Sequence, residues 1–303
     1  MEKSKLGKSE LEVSQIALGC MSLGTEPTKA SEIIDEALDL GINYLDTADL
    51  YDQGQNEEIV GQAIKNKRDQ IILATKVGNH LKDDGSWFWD PRKAYIKEQV
   101  KESLRKLHTD YIDLYQLHGG TIEDPIDETI EAFEELVEEG VVRYYGISSI
   151  RPNVIREYTK KANISSVMMQ YSMLDRRPEE ILSQLNNQNI SVVTRGSLAK
   201  GMLSSNGPEI ATKKGEKGYL DYDASTLKST VEQLQNMLHD NQTLNGLAMQ
   251  YVLKEKAVAS VVAGASSIKQ LKDNVNALDQ HFDPEQFAKV KEITKANTYQ
   301  QHR

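Results

Sequence analysis

Cys20 is the chain's only cysteine, which excludes an intrachain disulfide and a cysteine-built zinc site. No stretch approaches the roughly eighteen consecutive apolar residues of a membrane helix, so no membrane partner is expected. The opening MEKSKLGKSE has no apolar core, so no secretory signal is expected and the protein reads as cytoplasmic. Positive charge is short: 36 Lys and Arg stand against 46 Asp and Glu, a net charge of −10. Phosphate neutralisation needs clustered cations, so this balance argues against a nucleic-acid partner. His80, His108, His239, His281 and His302 fall at no ligand spacing, and no metal is expected. There is no G-x-G-x-x-G, which disfavours a Rossmann dinucleotide site. Gly7-Lys8-Ser9 has the look of a P-loop end, but Glu2 stands where the earlier glycine belongs, and the run reads as a turn.

What is present is a repeating alternation. Across 303 residues, 39% hydrophobic and 27% charged, short β-rich runs alternate with amphipathic stretches. The strand candidates are 15–19, 42–46, 71–75, 111–117, 141–147, 166–170, 190–194 and 258–264. Nearly continuous apolar runs fit strands covered on both faces, as in a parallel sheet. Helical periodicity falls between them. Ile130, Phe133, Leu136 and Val137 share one stripe over 127–139, with Asp127 as the expected cap and Gly140 as the stop. The stretches 30–40, 94–107, 178–188 and 267–278 behave similarly. Eight β–α units without a composition break predict a closed (β/α)8 TIM barrel, expected as one domain over 1–303. The surplus length is expected as a hairpin at 1–13, a long polar loop at 202–224, two helices over 225–254 and an extra helix at 284–295 started by Pro284.

In such a barrel, chemistry gathers at the C-terminal ends of the strands. Strand two ends at Asp46, strand three at Lys76 and strand four at His118, and Tyr51 follows closely after the second. A carboxylate, an ammonium, an imidazole and a phenol are the parts of a device that protonates a carbonyl oxygen. A free phenol is a poor acid near neutrality. A lysine beside it, held by an aspartate, would bring a phenol into range. One cation at ~4 Å with an effective dielectric near 20 contributes roughly 4 kcal/mol before screening. Each residue read singly has a plainer role: Lys76 snorkelling, Asp46 capping a turn, Tyr51 on the surface, His118 in the core. Their convergence on one mouth favours the chemical reading. The later strands end at Ser148 and Ser149, Gln170, Arg195, and Gly264 to Ser267. A proton donor over a carbonyl needs a hydride source that no side chain provides, which implies a nicotinamide cofactor. The run Gly264-Ala265-Ser266-Ser267, opening a helix, is the better phosphate candidate.

The whole chain resembles an aldo-keto reductase. The resemblance rests on KLGKSELEVSQIALGCMSLG, GINYLDTADLY, IILATK, DYIDLYQLH, GVVRYYGISS, SVMMQYSML and VVAGASSIKQLKDNV, in this order from about residue 3 to residue 280. The branch resembled is that of bacterial general reductases and potassium-channel β-subunits. The resemblance implies a (β/α)8 barrel, reversible reduction of aldehydes and ketones, and a catalytic tetrad of Asp46, Tyr51, Lys76 and His118. It implies NADPH as the cofactor, with NADH open as an alternative. Ser148, Ser149 and Gln170 would contact the nicotinamide amide. Ser197, Leu198, Lys200 and Gly201 would lie near the pyrophosphate. Gly264, Ser266, Ser267, Lys269, Gln270, Asp273 and Asn274 would surround the adenosine end. The chain also departs from the family pattern. Ser149 stands in place of Asn, and Arg195 in place of a tyrosine that stacks on the nicotinamide. That charge would disfavour the oxidised ring and bias the protein toward reduced cofactor. Gly264 and Gln270 replace the Lys and Arg that some members direct at a 2′-phosphate. The expected substrate is a small carbonyl compound, with Met21, Leu50 and Trp87 as candidate pocket walls. The WFW run at 87–89 could equally anchor a loop against the barrel rim. Two other functions use the same residues: an alcohol or polyol dehydrogenase, and a cofactor-sensing regulatory subunit. The residues decide neither these nor the oligomeric state.

Overall fold

The computed structural model describes residues 1–303. It opens with an antiparallel hairpin of β1 (Lys3–Lys5) and β2 (Glu12–Ser14). The chain then runs through β3 (Ile16–Gly19), α1 (Pro27–Asp39), β4 (Tyr44–Asp46), α2 (Gln55–Ile64) and β5 (Ile72–Val77). A second hairpin follows, β6 (Asn79–Leu81) and β7 (Trp87–Trp89), where sequence alone suggests a polar loop. Next come α3 (Lys93–Lys106), β8 (Ile112–Leu117), α4 (Ile126–Glu138), β9 (Val142–Ser148), α5 (Pro152–Lys161), β10 (Ser166–Gln170), α6 (Glu179–Asn187) and β11 (Ser191–Arg195). The expected loop at 202–224 holds a two-turn helix, α7 (Gly207–Lys214). Pro208 near its start and Gly215 at its end fit a helix that periodicity alone was too short to reveal. The chain finishes with α8 (Ala224–Asn236), α9 (Leu244–Leu253), β12 (Val258–Gly264), α10 (Ile268–Asn276) and α11 (Pro284–Ile293). No helix is long and apolar enough to cross a membrane.

Eight strands, β3, β4, β5, β8, β9, β10, β11 and β12, pair in parallel and close into a barrel through β12 and β3, where Gly264 faces Gly19. The β–α alternation read from the sequence is therefore a (β/α)8 barrel. Side chains two apart on a strand share a face. On the inner face this places Tyr44 below Asp46, Ala74 below Lys76, and Leu114 below Gln116 and His118. The lower layer is apolar: Ala17, Tyr44, Ala74, Leu114, Met168, Val193 and Ala259 pack with Leu6, Leu11 and Val13 of the first hairpin. That hairpin plugs the N-terminal end, so only the C-terminal end is open to solvent.

The outer strand faces and helices build two larger clusters, of 47 and 22 buried residues. Local signals fix several helix ends. Glu26 accepts from Thr28 and Lys29 N–H ahead of Pro27, Ser267 caps α10, and Asp283 with Gln286 forms a capping box on α11. The expected Asp127 cap is corrected: α4 starts one residue earlier, and Asp127 lies in its first turn, 3.0 Å from Lys161 Nζ. A carboxylate there still favours the helix dipole.

Gly61 of α2 packs tightly against the end of α3. A Cβ there would meet the Lys106 carbonyl oxygen at 2.3 Å and Leu107 Cα at 2.6 Å, both main-chain atoms that cannot rotate away. Gly61→Ala should destabilise by about 1–3 kcal/mol despite alanine's better helix propensity. Urea unfolding would show it as a lowered midpoint, and an unchanged or raised midpoint would contradict this packing.

Candidate active site

The open end of the barrel is built around a buried ammonium. Lys76, near the end of β5, has no solvent exposure. Its Nζ donates to Asp46 Oδ2 at 2.7 Å, to the Thr47 carbonyl at 2.7 Å and to the Tyr51 hydroxyl oxygen at 3.3 Å. An ammonium has three protons, and all three are used. Burial opposes its charge, but Asp46 and the Tyr51 oxygen outweigh burial and hold Lys76 above its ordinary range. Burial also pushes the Asp46 carboxyl up, with Lys76 and Gln116 acting against it. The pair is ionised, because a neutral Asp46 would leave a buried cation with no counter-charge.

Tyr51 reaches this ammonium through a turn held by polar contacts. Thr47 Oγ1 donates to Asn56 Oδ1 at 2.7 Å, and Asn56 Nδ2 donates to the Cys20 carbonyl at 3.0 Å and to Asp52 Oδ2 at 3.2 Å. Asp52 and Gln53 adopt left-handed backbone at φ 49° and 55°, turning the chain into α2 directly after Tyr51. His118 follows β8 and meets the Tyr51 ring edge-on, with centroids 5.9 Å apart. Burial first, then Lys76 and Arg195, push its pKa down to about 3, so the ring is neutral. Its Nδ1 is buried without a protein partner. Asp46, Tyr51, Lys76 and His118 thus meet at one mouth.

Behind this group lies a feature that residue-type reasoning missed. Asp49 and Glu57 are both buried, at 4% and 0% exposure. Neither Asp49 oxygen has a hydrogen-bond partner, while Glu57 Oε1 accepts from Thr75 Oγ1 at 2.6 Å. Burial, then Glu57, push the Asp49 carboxyl well above the carboxylate range. The alternation of Asp46 and Asp49 around a turn gave no hint that the second would be buried.

Two cavities adjoin the mouth and share Met21. The first, about 710 Å³, lies over Tyr51 and His118 and is lined also by Leu50, Asn79, Trp87, Trp89, Ser148, Ser149, Arg151 and Arg195. Met21, Leu50 and Trp87 therefore wall it. Trp87 is 53% exposed, whereas Trp89 stacks over Gly78 and Gly119 and donates to Asp124 at 3.0 Å. His80 stacks between Phe88 and Tyr95, at 4.6 and 4.1 Å. The WFW run serves both roles: Phe88 and Trp89 anchor the hairpin and Trp87 faces the cavity.

The second cavity, about 730 Å³, is a groove between the ends of β11 and β12. Ser197, Leu198, Lys200, Gly201, Gly264, Lys269, Gln270, Asp273 and Asn274 line it, together with Lys214 and Asn245, which sequence did not single out. Ser266 and Ser267 sit at its edge instead: Ser266 N–H and Oγ donate to Gln270 Oε1, both at 2.9 Å, and Ser267 caps α10. Gln170 lines neither cavity. Its amide donates to Asp175 at 2.9 Å and to Tyr219 at 3.2 Å, and accepts from Arg195. The groove suits an elongated polyanion. Three lysines line it against one acid, Asp273, and Asn245 Oδ1 is a buried acceptor without a partner.

Residues 15–295 match the Aldo/keto reductase family. The oxidoreductase YqkF of Bacillus subtilis (strain 168) is 57% identical over the full length of both chains. The NADH-specific methylglyoxal reductase of Escherichia coli (strain K12) is 30% identical, with 98% of this chain and 99% of the relative covered. Among solved structures, the holo form of aldo-keto reductase AKR11C1 from Bacillus halodurans superposes with a TM-score of 0.94 at 57% identity, covering 100% of this chain and 99% of that one. Barrel, mouth and sequence agree: this chain belongs to the aldo/keto reductase family.

Proposed function

We propose that this chain reduces small aldehydes or ketones to alcohols, with Tyr51 as the proton donor. The observation that carries the reading is the three-way bond of Lys76 to Asp46, Thr47 and Tyr51 beneath an open cavity. Ser197, Leu198, Lys200, Gly201, Lys214 and Lys269 would hold a nicotinamide dinucleotide along the groove, which leads to that cavity at Met21. When bound, such a cofactor supplies the hydride that no side chain can.

The protein's own groups then divide the work. Tyr51 gives its proton to the substrate oxygen, and the phenolate left behind is stabilised by the ammonium already 3.3 Å away. Asp46 keeps that ammonium charged in a dry site. His118, being neutral, donates one N–H to the same oxygen and orients the carbonyl. The hairpin carrying Trp87 and the side chains of Leu50 and Met21 keep bulk water from the reacting face. In the reverse direction Tyr51 accepts the proton, so the same residues serve alcohol oxidation.

Cofactor choice follows from the outer groove. The Lys269 ammonium is paired with Asp273 at 3.1 Å, and Gln270 is committed to Ser266. Little remains to single out a 2′-phosphate, so we assign use of both NADPH and NADH. The E. coli relative named for NADH is consistent with this. Gln270→Arg, which adds a phosphate-binding fork, should lower the NADPH:NADH ratio of dissociation constants by about tenfold. Fluorescence titration measures it; a strongly NADPH-selective wild-type protein would contradict the assignment.

Tyr51→Phe should lower kcat by about 10²–10⁴-fold while leaving cofactor affinity nearly intact. Near-normal reduction by that variant would falsify the role given to Tyr51. His118 makes a separate prediction about pH. Its folded ring charges only near about pH 3, whereas an unfolded histidine titrates near 6.5. The unfolded chain therefore binds more protons between those values, and stability falls as pH drops through that window. His118→Gln lacks this term, so its melting temperature should fall less between pH 7 and pH 4 than that of the wild type. Equal falls would show that the ring is not held neutral.

A further inference from the structure

The cavity over Tyr51 and His118 is positively charged, in a protein whose net charge is −10. Arg151 and Arg195 line it, and no Asp or Glu does. Of the chain's ten arginines, seven (Arg68, Arg92, Arg105, Arg143, Arg176, Arg177 and Arg303) sit in ion pairs with carboxylates. Three do not, and two of those three line this one cavity; the third, Arg156, is exposed on α5.

Both guanidiniums are held in place without being neutralised. Arg151 donates one N–H to the Gly120 carbonyl at 2.5 Å, and its main-chain N–H donates to Ser149 Oγ at 3.2 Å. Arg195 donates one N–H to Gln170 Oε1 at 3.1 Å. A guanidinium has five donors, so most of each fork is free. The carboxylates nearby are committed elsewhere. Asp124 accepts from Trp89, from Thr121 N–H and from Thr121 Oγ1, while Asp175 accepts from Arg177 and Gln170. Asp46 holds Lys76. Arg195 also lies close enough for its charge to bear on Asp46 and His118.

We propose that the carbonyl compound reduced here carries an anionic group, a carboxylate or a phosphate, bound by Arg151 with Arg195 at the mouth of the cavity. This rests on the reductase reading of the site and adds its substrate class. Guanidinium forks match the planar oxygens of a carboxylate and the oxygens of a phosphate, whereas a neutral substrate offers neither fork a counter-charge. Leu50, Met21 and Trp87 supply an apolar wall for the carbon chain between the anion and the reacting carbonyl. The family resemblance assigns Arg195 to the cofactor, but Arg151 has no such assignment and lines the cavity without touching the groove. Arg151 is therefore the residue to vary.

Matched pairs test the proposal on the full chain: 4-oxobutanoate against its methyl ester, and glyceraldehyde 3-phosphate against glyceraldehyde. At least one anion should exceed its neutral partner by about tenfold or more in kcat/KM. Arg151→Gln should shrink that ratio by a similar factor, mainly through KM for the anion. Binding offers a second readout, since both tryptophans, Trp87 and Trp89, line the cavity. Butanedioate should change tryptophan fluorescence in the wild type at concentrations where butanediamide does not, and the response should weaken in Arg151→Gln. Circular dichroism confirms that the variant is folded. Neutral partners reduced as well as the anions overturn the anionic class alone, and an anion preference indifferent to Arg151→Gln overturns Arg151 as its anchor. Butanedioate binding with no carbonyl turned over overturns the reductase reading instead and leaves the anion site standing.

Discussion

A fully buried ammonium has to be neutralised where it sits, and much of the open end of this barrel is arranged around that requirement. Lys76 has no solvent exposure, and its three protons go to a carboxylate, a carbonyl and a phenol oxygen. Removing one partner of such a pair leaves an uncompensated charge at a cost of about 3–5 kcal/mol. The cost fixes Asp46 at the end of β4 beside Lys76 on β5, and register does the rest: Asp46 pairs with Ala74, two residues below Lys76. The Thr47–Asn56 contact then brings Tyr51 over the ammonium.

Charge is distributed unevenly around that centre. Beneath the turn, burial keeps Asp49 well above the carboxylate range, so the interior acid adds little negative field. Above it, Arg195 and Arg151 face a cavity that contains no acid. Water has limited access to the lower side and ready access to the upper. Field lines from the unpaired guanidiniums therefore run mainly into the cavity, where a substrate would meet them. A neutral His118 follows from the same asymmetry, since burial, Lys76 and Arg195 all oppose a further positive charge.

Much of this was readable from residue patterns. All eight barrel strands lie within one or two residues of the apolar runs, because parallel strands covered on both faces need such runs. Asp46, Lys76 and His118 were visible as polar residues closing apolar segments. Other features were not. The β6–β7 hairpin is made of a polar, Trp-rich stretch whose pairing depends on His80, Phe88 and Tyr95 stacking together. The helix at Gly207–Lys214 is too short for its periodicity to stand out. The network that joins Gln170, at a strand end where a cofactor contact is expected, to Asp175, Tyr219 and Arg195 left no mark in the sequence.

The order of apolar runs and polar strand ends by itself determined the barrel, its open end and the residue types gathered there, because the alternation of side chains along a strand is local and admits one inward face. Only the tertiary structure decided which charges are paired. Arg143 and Arg151 stand near opposite ends of β9, yet the first finds Asp113 of β8 at 3.0 Å and the second finds a carbonyl and an open cavity. Pairing depends on which distant segments the barrel brings within about 4 Å of each other. No local pattern encodes that distance.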